Sequence, residues 1–196
     1  MPNPTLAIKL NTPVVLSDEL QLCLLQAADE AGLFAQIETN RLHLRQWLPW
    51  LDDAVCPSDT RAFIALTINE SRAGTSYTFA IKLHRAIIGI CSIDAIETTR
   101  GRANLGYWLA EEHCGQGIMT LCVRQLLDIA FTQLSLQQLN LNTAECNQKS
   151  RAVAQRLGFR QGHKILQAED LYGEWVDHIR YTIHKNDWQK MNVAPT

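Results

Sequence analysis

Hydrophobic positions in the first third of the chain follow mainly helical spacing. A short apolar segment over 14–16 predicts a strand, and Ser17 with acidic residues behind it predicts a helix start. That helix would continue along positions three or four residues apart: Leu20, Leu24, Ala27 and Ala28. Further helices are predicted over 31–41 and from Ser58 to near Gly74. We expect the last of these helices to turn four residues inward: Phe63, Leu66, Thr67 and Ile68.

The middle of the chain changes to a period of two. Strict alternation over 77–83 predicts a strand, and the β-branched run over 86–93 predicts its hairpin partner. His84 and Arg85 would form the tight turn between them. A third strand is predicted over 103–110. A long helix follows over 118–134, and its broad apolar face consists of Ile118, Leu121, Cys122, Leu126, Ile129 and Ala130.

The last third alternates strands with a single helix. Strands are predicted over 139–143, 159–166 and 175–183, and a helix over 147–157. Gly158 stands where a left-handed residue would end that helix. Strands flanking single helices indicate an α/β protein with a mixed sheet and helices on both faces. Because no linker or repeat interrupts the chain, we expect one domain over 1–196.

Composition narrows the class of protein. The chain has 196 residues and a formal net charge of -2, which argues against general nucleic-acid or membrane-surface binding. Its six cysteines show no zinc-type spacing, so we expect reduced thiols and no metal. No apolar run is long enough to span a membrane, and residues 1–10 do not resemble a signal peptide. We therefore expect a cytoplasmic protein.

A glycine-rich connection between the third strand of the middle region and the long helix is the first chemical signal. Gly115 and Gly117 would let a ligand approach the backbone, and the free N–H groups at the start of the helix suit an anion such as pyrophosphate. The alternative is a loop that merely turns the chain. The glycine-rich segment does not match a Walker loop. Nor does it match the dinucleotide-binding fingerprint, because Thr120 stands where the third glycine would be.

The start of the later helix is the second signal. Asn147 is suited to cap this helix, and Ser150 lies in its exposed first turn, ahead of the Leu157-Gly158-Phe159 stretch. Taken alone, this segment is typical of any capped helix.

Together the two signals resemble the GNAT superfamily of acetyl-CoA-dependent N-acetyltransferases. The resemblance implies a mostly antiparallel, seven-stranded central sheet that is splayed between its fourth and fifth strands, here 103–110 and 139–143. Pantetheine would fill the gap, and the glycine-rich loop would take the pyrophosphate. The loop departs from the usual pattern at its first and last positions, which are Cys114 and Met119. No basic side chain is therefore available at 114.

Four segments, 44–50, 106–109, 117–120 and 168–177, narrow the resemblance to Rim-type ribosomal-protein N-terminal acetyltransferases. This implies direct acetyl transfer, in a ternary complex, to the α-amino group of a ribosomal protein. By position, Glu169 would be the base and Ser150 would protonate the departing sulfur. The backbone N–H near Leu109 would hold the oxyanion. The implied acetyl-CoA contacts are Trp108, Leu109, Cys114, Gly115, Gln116, Gly117, Ile118, Met119, Thr120, Asn142, Asn147 and Ser150.

Other interpretations remain at this point. The acceptor could be a small amine such as a polyamine, aminoglycoside or amino acid, or the chain could bind CoA without catalysis. Trp47 and Trp50 could pack the early helices or wall the acceptor pocket, and Cys114 lacks a recognisable base partner. The Rim-type resemblance also implies a homodimer.

Overall fold

The computed structural model describes Leu10 and residues 12–192, so the expectation about a signal peptide falls almost wholly outside the described part. Within that part, eight strands form one sheet in the order β1-β2-β3-β4-β5-β6-β8-β7. The strands are β1 Val14–Val15, β2 Leu20–Leu24, β3 Tyr77–Leu83, β4 Ala86–Glu97, β5 Arg102–Leu109, β6 Gln138–Ala144, β7 Arg160–Leu171 and β8 Glu174–His184. Only β5 and β6 pair in parallel; every other neighbouring pair is antiparallel.

The helices of the described residues lie between and after these strands. They are α1 Glu30–Thr39, α2 Arg41–Arg45, α3 Pro57–Ala73, α4 Ile118–Asp128, α5 Gln148–Arg156 and α6 Lys185–Asn192. A π-helical turn over Ile129–Gln133 prolongs α4, so the long predicted helix is confirmed in two parts. Gly74 and Gly158 end α3 and α5 with φ of 71° and 74°. The predicted hairpin turn is confirmed as well, with positive φ at His84 and Arg85.

The helix predicted through Leu20 and Leu24 is wrong, and this segment accounts for the eighth strand. Leu20 pairs with Leu83 and Leu22 with Ile81, and Leu20 and Leu22 are both buried on one face of the sheet. Ser17 Oγ accepts a hydrogen bond from the backbone N–H of Leu20 at 3.1 Å, within the turn between β1 and β2. A serine followed by acidic residues is compatible with a turn as well as with a helix start. The segment after it is a strand because it pairs with the edge of β3 that β4 leaves free.

Two predicted helix faces need correction. In α3 the buried positions are Thr60, Ile64 and Thr67, whereas Phe63 is 39% and Leu66 55% exposed. In α4 Leu121 is 47% exposed, while six other positions are buried: Ile118, Met119, Cys122, Val123, Leu126 and Leu127. In both helices, exposed apolar residues lie beside the row of buried positions. A prediction that counts apolar residues assigns them to the buried face.

Helices cover both faces of the sheet, as predicted. On one face Leu33 of α1 and Ile64 of α3 share a buried cluster with Trp108 of β5. On the other face Leu126 of α4 and Val153 of α5 belong to the larger cluster. Because side chains alternate along a strand, Trp108 faces α1 and α3, while its neighbours on β5 face α4 and α5.

The sheet opens between β5 and β6, which confirms the predicted splay. The two strands pair only where Arg102–Asn104 meets Gln138–Asn140. Asn140 Nδ2 donates to Asn104 Oδ1 at 3.4 Å at the last of these pairs, and β6 then continues against β8 alone. A wedge-shaped gap therefore widens toward Leu109. The strands are the fifth and sixth, rather than the fourth and fifth, because β2 precedes them.

Candidate functional site

A cavity of about 850 Å³ lies at the open end of the gap. Its walls come from α2, from Trp47 and Leu48 after it, from the end of β5, from the glycine-rich loop and from the facing sides of α4 and α5. Its β5 residues, Tyr107, Trp108 and Leu109, belong to the part of that strand that does not pair with β6. The cavity therefore adjoins the splayed part of the sheet.

The glycine-rich loop has a backbone that a residue with a side chain would strain. Gly115 and Gly117 have φ of 79° and 81°, and a Cβ on either would meet nothing within 4 Å. Gly117 is also the residue that caps the N-terminus of α4. The unpaired first-turn N–H groups and the helix dipole make this the positive end of α4. The loop is thus suited to bind an anion by its backbone.

Three cations line the same cavity. Lys149 and Arg156 come from α5 and Arg124 from α4, and none of them has an ion-pair partner among the described residues. Burial raises the pKa of the Cys114 thiol, and the charge of Lys149 acts in the opposite direction. Lys149 thus brings positive charge to the position where the loop itself has none.

The hydroxyl of Ser150 lies at the start of α5 and contacts β5. Asn147 Oδ1 accepts a hydrogen bond from the Ser150 backbone N–H at 3.0 Å, which confirms the predicted cap. Ser150 Oγ lies 3.0 Å from Tyr107 Oη. Burial raises the pKa of Tyr107 to about 12, so the phenol is neutral at physiological pH. The sequence interpretation missed Tyr107 as a site residue, although strand alternation places it on the face opposite Trp108.

One backbone N–H of β5 points into the gap. The N–H of Ala110 donates to Ile88 O of β4 at 2.8 Å. Successive N–H groups of a strand point to opposite edges, so the N–H of Leu109 faces the side where β6 has diverged. It is a donor available to a ligand in the gap.

Glu169 lies on the β7-β8 hairpin rather than in the cavity wall. Its Oε2 is 3.2 Å from His178 Nε2 on β8. The tip of the same hairpin reaches the wall, because Tyr172 Oη donates to Leu48 O at 3.3 Å and the Arg45 guanidinium lies 3.7 Å from the Tyr172 ring centre. The hairpin that carries Glu169 is therefore attached to the α2 side of the cavity.

The structure brings most of the predicted acetyl-CoA contacts together. Ten of them line the cavity: Trp108, Leu109, Cys114, Gly115, Gly117, Ile118, Met119, Thr120, Asn147 and Ser150. Gln116 and Asn142 lie outside this wall. Gln116 Nε2 donates to Glu112 O at 2.8 Å, and Asn142 Oδ1 accepts from Arg180 Nε at 3.1 Å.

The other residues singled out in the sequence differ in their position relative to the cavity. Trp47 lines the cavity, whereas Trp50 is 41% exposed outside it. Cys114 Sγ is 3.9 Å from His43 Nε2, but its raised pKa keeps the thiol protonated, which disfavours a nucleophilic cysteine. In the described ranges no group of three or more His, Cys, Asp or Glu residues could hold a metal ion. No described helix has the length and apolar character needed to cross a membrane.

A splayed sheet, a glycine-rich loop suited to an anion and three cations in the same cavity are features of a protein that binds an elongated, phosphate-bearing ligand. The backbone cradle, the gap and the cations fit acetyl-CoA. Residues 19–160 match the acetyltransferase (GNAT) domain family, and the chain belongs to this family. It is an N-acetyltransferase that uses acetyl-CoA.

Relatives point to one branch of the family. The chain is 27% identical over 183 residues to the putative ribosomal N-acetyltransferase YdaF of Bacillus subtilis, covering 89% of this chain and 96% of YdaF. It is 28% identical to the ribosomal-protein-serine acetyltransferase of Escherichia coli, covering 84% and 92% of the two chains. A solved RimL ribosomal L7/L12 alpha-N-protein acetyltransferase in complex with coenzyme A matches at a TM-score of 0.86 and 26% identity, covering 90% and 99%. The chain is thus similar, over most of its length, to acetyltransferases of the ribosomal-protein type.

Proposed function

We propose that this enzyme acetylates the α-amino group of a protein N-terminus, that of a ribosomal protein. The observation that carries the proposal is the hairpin bearing Glu169, which is attached to the cavity wall through Tyr172 and Leu48. Through this contact the hairpin that carries Glu169 adjoins the α2 side of the cavity, while Ser150 lies in the α5 wall. The ribosomal-protein relatives support the choice of acceptor.

The chain's own groups have complementary tasks in this proposal. Bound acetyl-CoA supplies a thioester whose acetyl group passes to the amine. Glu169 takes the proton that the amine loses, directly or through one water. The Leu109 N–H stabilises the oxyanion, and Ser150 Oγ donates a hydrogen bond to the sulfur, which leaves as a thiolate and takes its proton from water.

Direct transfer in a ternary complex belongs to the same proposal. A covalent acetyl-enzyme would need an activated nucleophile. The cysteine in the cavity wall, Cys114, has a pKa raised by burial. Direct attack by the amine needs only the base and the hydroxyl described above.

The acceptor is tested by incubating the enzyme with acetyl-CoA and purified ribosomal proteins, followed by intact-mass and peptide analysis. We expect one acetyl group on the N-terminal residue of at least one protein. A synthetic N-terminal peptide of that protein should react, and the same peptide with a blocked N-terminus should not. A panel of polyamines, aminoglycosides and amino acids runs in parallel. Acetylation confined to that panel, or CoA binding with no turnover, would overturn the proposal.

The cellular setting follows from this acceptor. We propose a cytoplasmic enzyme, since ribosomal proteins are made and modified there, and a homodimer. Light scattering after size-exclusion chromatography at micromolar concentration should give twice the chain mass of 22.1 kDa. A monomer mass throughout would refute the dimer without affecting the acceptor.

A further inference from the structure

One phenolic hydrogen has two possible acceptors at the start of α5. Tyr107 Oη lies 3.0 Å from Ser150 Oγ and 3.3 Å from the backbone oxygen of the same serine. A tyrosine hydroxyl carries a single hydrogen. The contact therefore allows two arrangements, and they differ in where the Ser150 hydrogen points.

The two arrangements have opposite consequences for the cavity. If Tyr107 donates to the backbone oxygen, Ser150 can donate back to Tyr107 Oη, and its hydrogen is withdrawn from the cavity. If Tyr107 donates to Ser150 Oγ, the Ser150 hydrogen must leave this contact and is free to point into the gap. The shorter distance, 3.0 Å, belongs to the hydroxyl pair.

Tyr107 is not itself a proton source. Burial raises its pKa to about 12, while an ordinary thiol has a pKa of about 8.5. Full proton transfer from the phenol to a thiolate would thus be unfavourable by roughly three orders of magnitude. The same raised pKa guarantees that Tyr107 keeps its hydrogen at every working pH. It can therefore act as a constant hydrogen-bond donor.

We propose that Tyr107 is a positioning residue, whose hydroxyl donates to Ser150 Oγ and so directs the Ser150 hydrogen into the gap between β5 and β6. This inference rests on the proposed task of Ser150. Asn147 fixes the backbone of Ser150 from the other side, through the 3.0 Å bond to its N–H. Asn147 thus holds the backbone of Ser150, and Tyr107 holds its hydroxyl oxygen. The direction of the Ser150 hydroxyl hydrogen is then the only torsion left to set.

The first test measures binding rather than activity. The probe is CoA itself, and the pKa of its thiol in the binary complex is followed by thiolate absorbance. Desulfo-CoA, which lacks the sulfur, gives the baseline for the protein's own cysteines and tyrosines. A hydrogen bond to the thiolate lowers the thiol pKa, so removing it raises the pKa. We expect Tyr107→Phe to raise it by about 0.5 to 1 unit, and Ser150→Ala by at least as much.

The decisive comparison is the double variant. In the Ser150→Ala background, Tyr107→Phe should cause no further shift, because the tyrosine acts only through the serine. Tyr181→Phe is the matched control. Tyr181 is also buried and contacts α5, since Arg151 Nε donates to its hydroxyl at 3.0 Å, but it does not line the cavity. We expect no shift from it.

The second test uses kinetics with whichever amine the wild type acetylates. Tyr107→Phe should lower kcat about tenfold and leave KM for acetyl-CoA within about twofold. Ser150→Thr keeps the hydroxyl, so Tyr107→Phe should still lower kcat in that background but not in Ser150→Ala, and thermal unfolding checks that each variant is folded. No shift and no rate loss in Tyr107→Phe, or equal losses with and without Ser150, would overturn the assignment. If the wild type acetylates no N-terminus, the acceptor proposal fails, while the thiol titration still decides the role of Tyr107.

Discussion

Asn147 Oδ1 accepts a hydrogen bond from the Ser150 backbone N–H at 3.0 Å, so the residue that caps α5 also holds the serine that faces the gap. Asn147→Ala should destabilise the protein by about 1 kcal/mol, as loss of a helix cap does. It should also lower kcat, because Ser150 loses its anchor. Urea unfolding and steady-state kinetics measure the two effects. Asn147→Asp keeps the accepting oxygen and should restore both; a variant as impaired as alanine would contradict this account.

Alanine should be poorly tolerated at the glycines of the loop, because their positive φ angles strain any residue that has a Cβ. Gly117→Ala should cost about 1 to 2 kcal/mol of stability, because φ is 81° there, and should raise KM for acetyl-CoA. Gly32→Ala is the matched control. Gly32 lies in α1 with ordinary contact to Ile87 at 3.5 Å, so alanine should stabilise the protein by about 0.5 to 1 kcal/mol. Thermal unfolding with and without CoA separates the two glycines.

The cations that line the cavity, which lack ion-pair partners among the described residues, should bind phosphate groups. Arg124→Gln and Arg156→Gln should each raise KM for acetyl-CoA about five- to tenfold, with kcat nearly unchanged. The loss should shrink as salt rises, because salt screens the interaction in the wild type. Arg72→Gln removes an exposed arginine of α3 and should have no effect. If all three variants bind CoA alike, the cavity cations are not phosphate ligands.

The carboxylate on the hairpin should matter to the amine rather than to the donor. Glu169→Gln should lower kcat about 100-fold, as loss of a general base does, and leave CoA affinity unchanged. Asp170→Asn is the control beside it, since asparagine can still accept from the Gly173 N–H, which Asp170 bonds at 2.6 Å. Stopped assays with the acceptor peptide and calorimetry with CoA measure the two properties. Equal rate losses in both variants would remove Glu169 from its proposed task.

The raised pKa of Cys114 predicts how its thiol reacts. Only the thiolate is alkylated, and a pKa above the ordinary value leaves less thiolate at neutral pH. Alkylation of Cys114 should therefore be slower than that of the exposed Cys146, should accelerate as pH rises, and should be suppressed by CoA. Peptide mass analysis after timed labelling follows both sites. Cys114→Ser should keep kcat within about twofold; a loss of several orders of magnitude would indicate a covalent acetyl-enzyme.

Local sequence was sufficient to predict the elements whose periodicity, caps and turns match the structure they have in the fold. In the hairpin of β3 and β4, the first strand alternates over 77–83 and the second is a β-branched run, and α5 has both its cap at Asn147 and its end at Gly158. The β2 segment is the contrary case. It has five residues, too few for periodicity to separate strand from helix, and its pairing partner β3 lies more than fifty residues away in the chain.

Tyr107 shows the same limit within the site. The chain indicates that Tyr107 and Trp108 face opposite sides of a strand, but not which helix lies over either side. The contact with Ser150 depends on α5 crossing back over β5, forty-three positions later in the chain. Glu169 and Leu48 are likewise brought to one region only when the hairpin tip reaches the wall.

The sequence by itself determined the α/β class, the glycine-rich anion loop, the capped helix and the family. These rest on residue types at short spacing, whose backbone preferences and hydrogen bonds are local. Only the tertiary structure decided that β2 is a strand, that three cations without an ion-pair partner among the described residues share a cavity with the loop, and that Tyr107 meets Ser150 at the splayed gap. Those outcomes depend on which distant surfaces pack together, because burial and pairing are free energies shared between segments far apart in the chain.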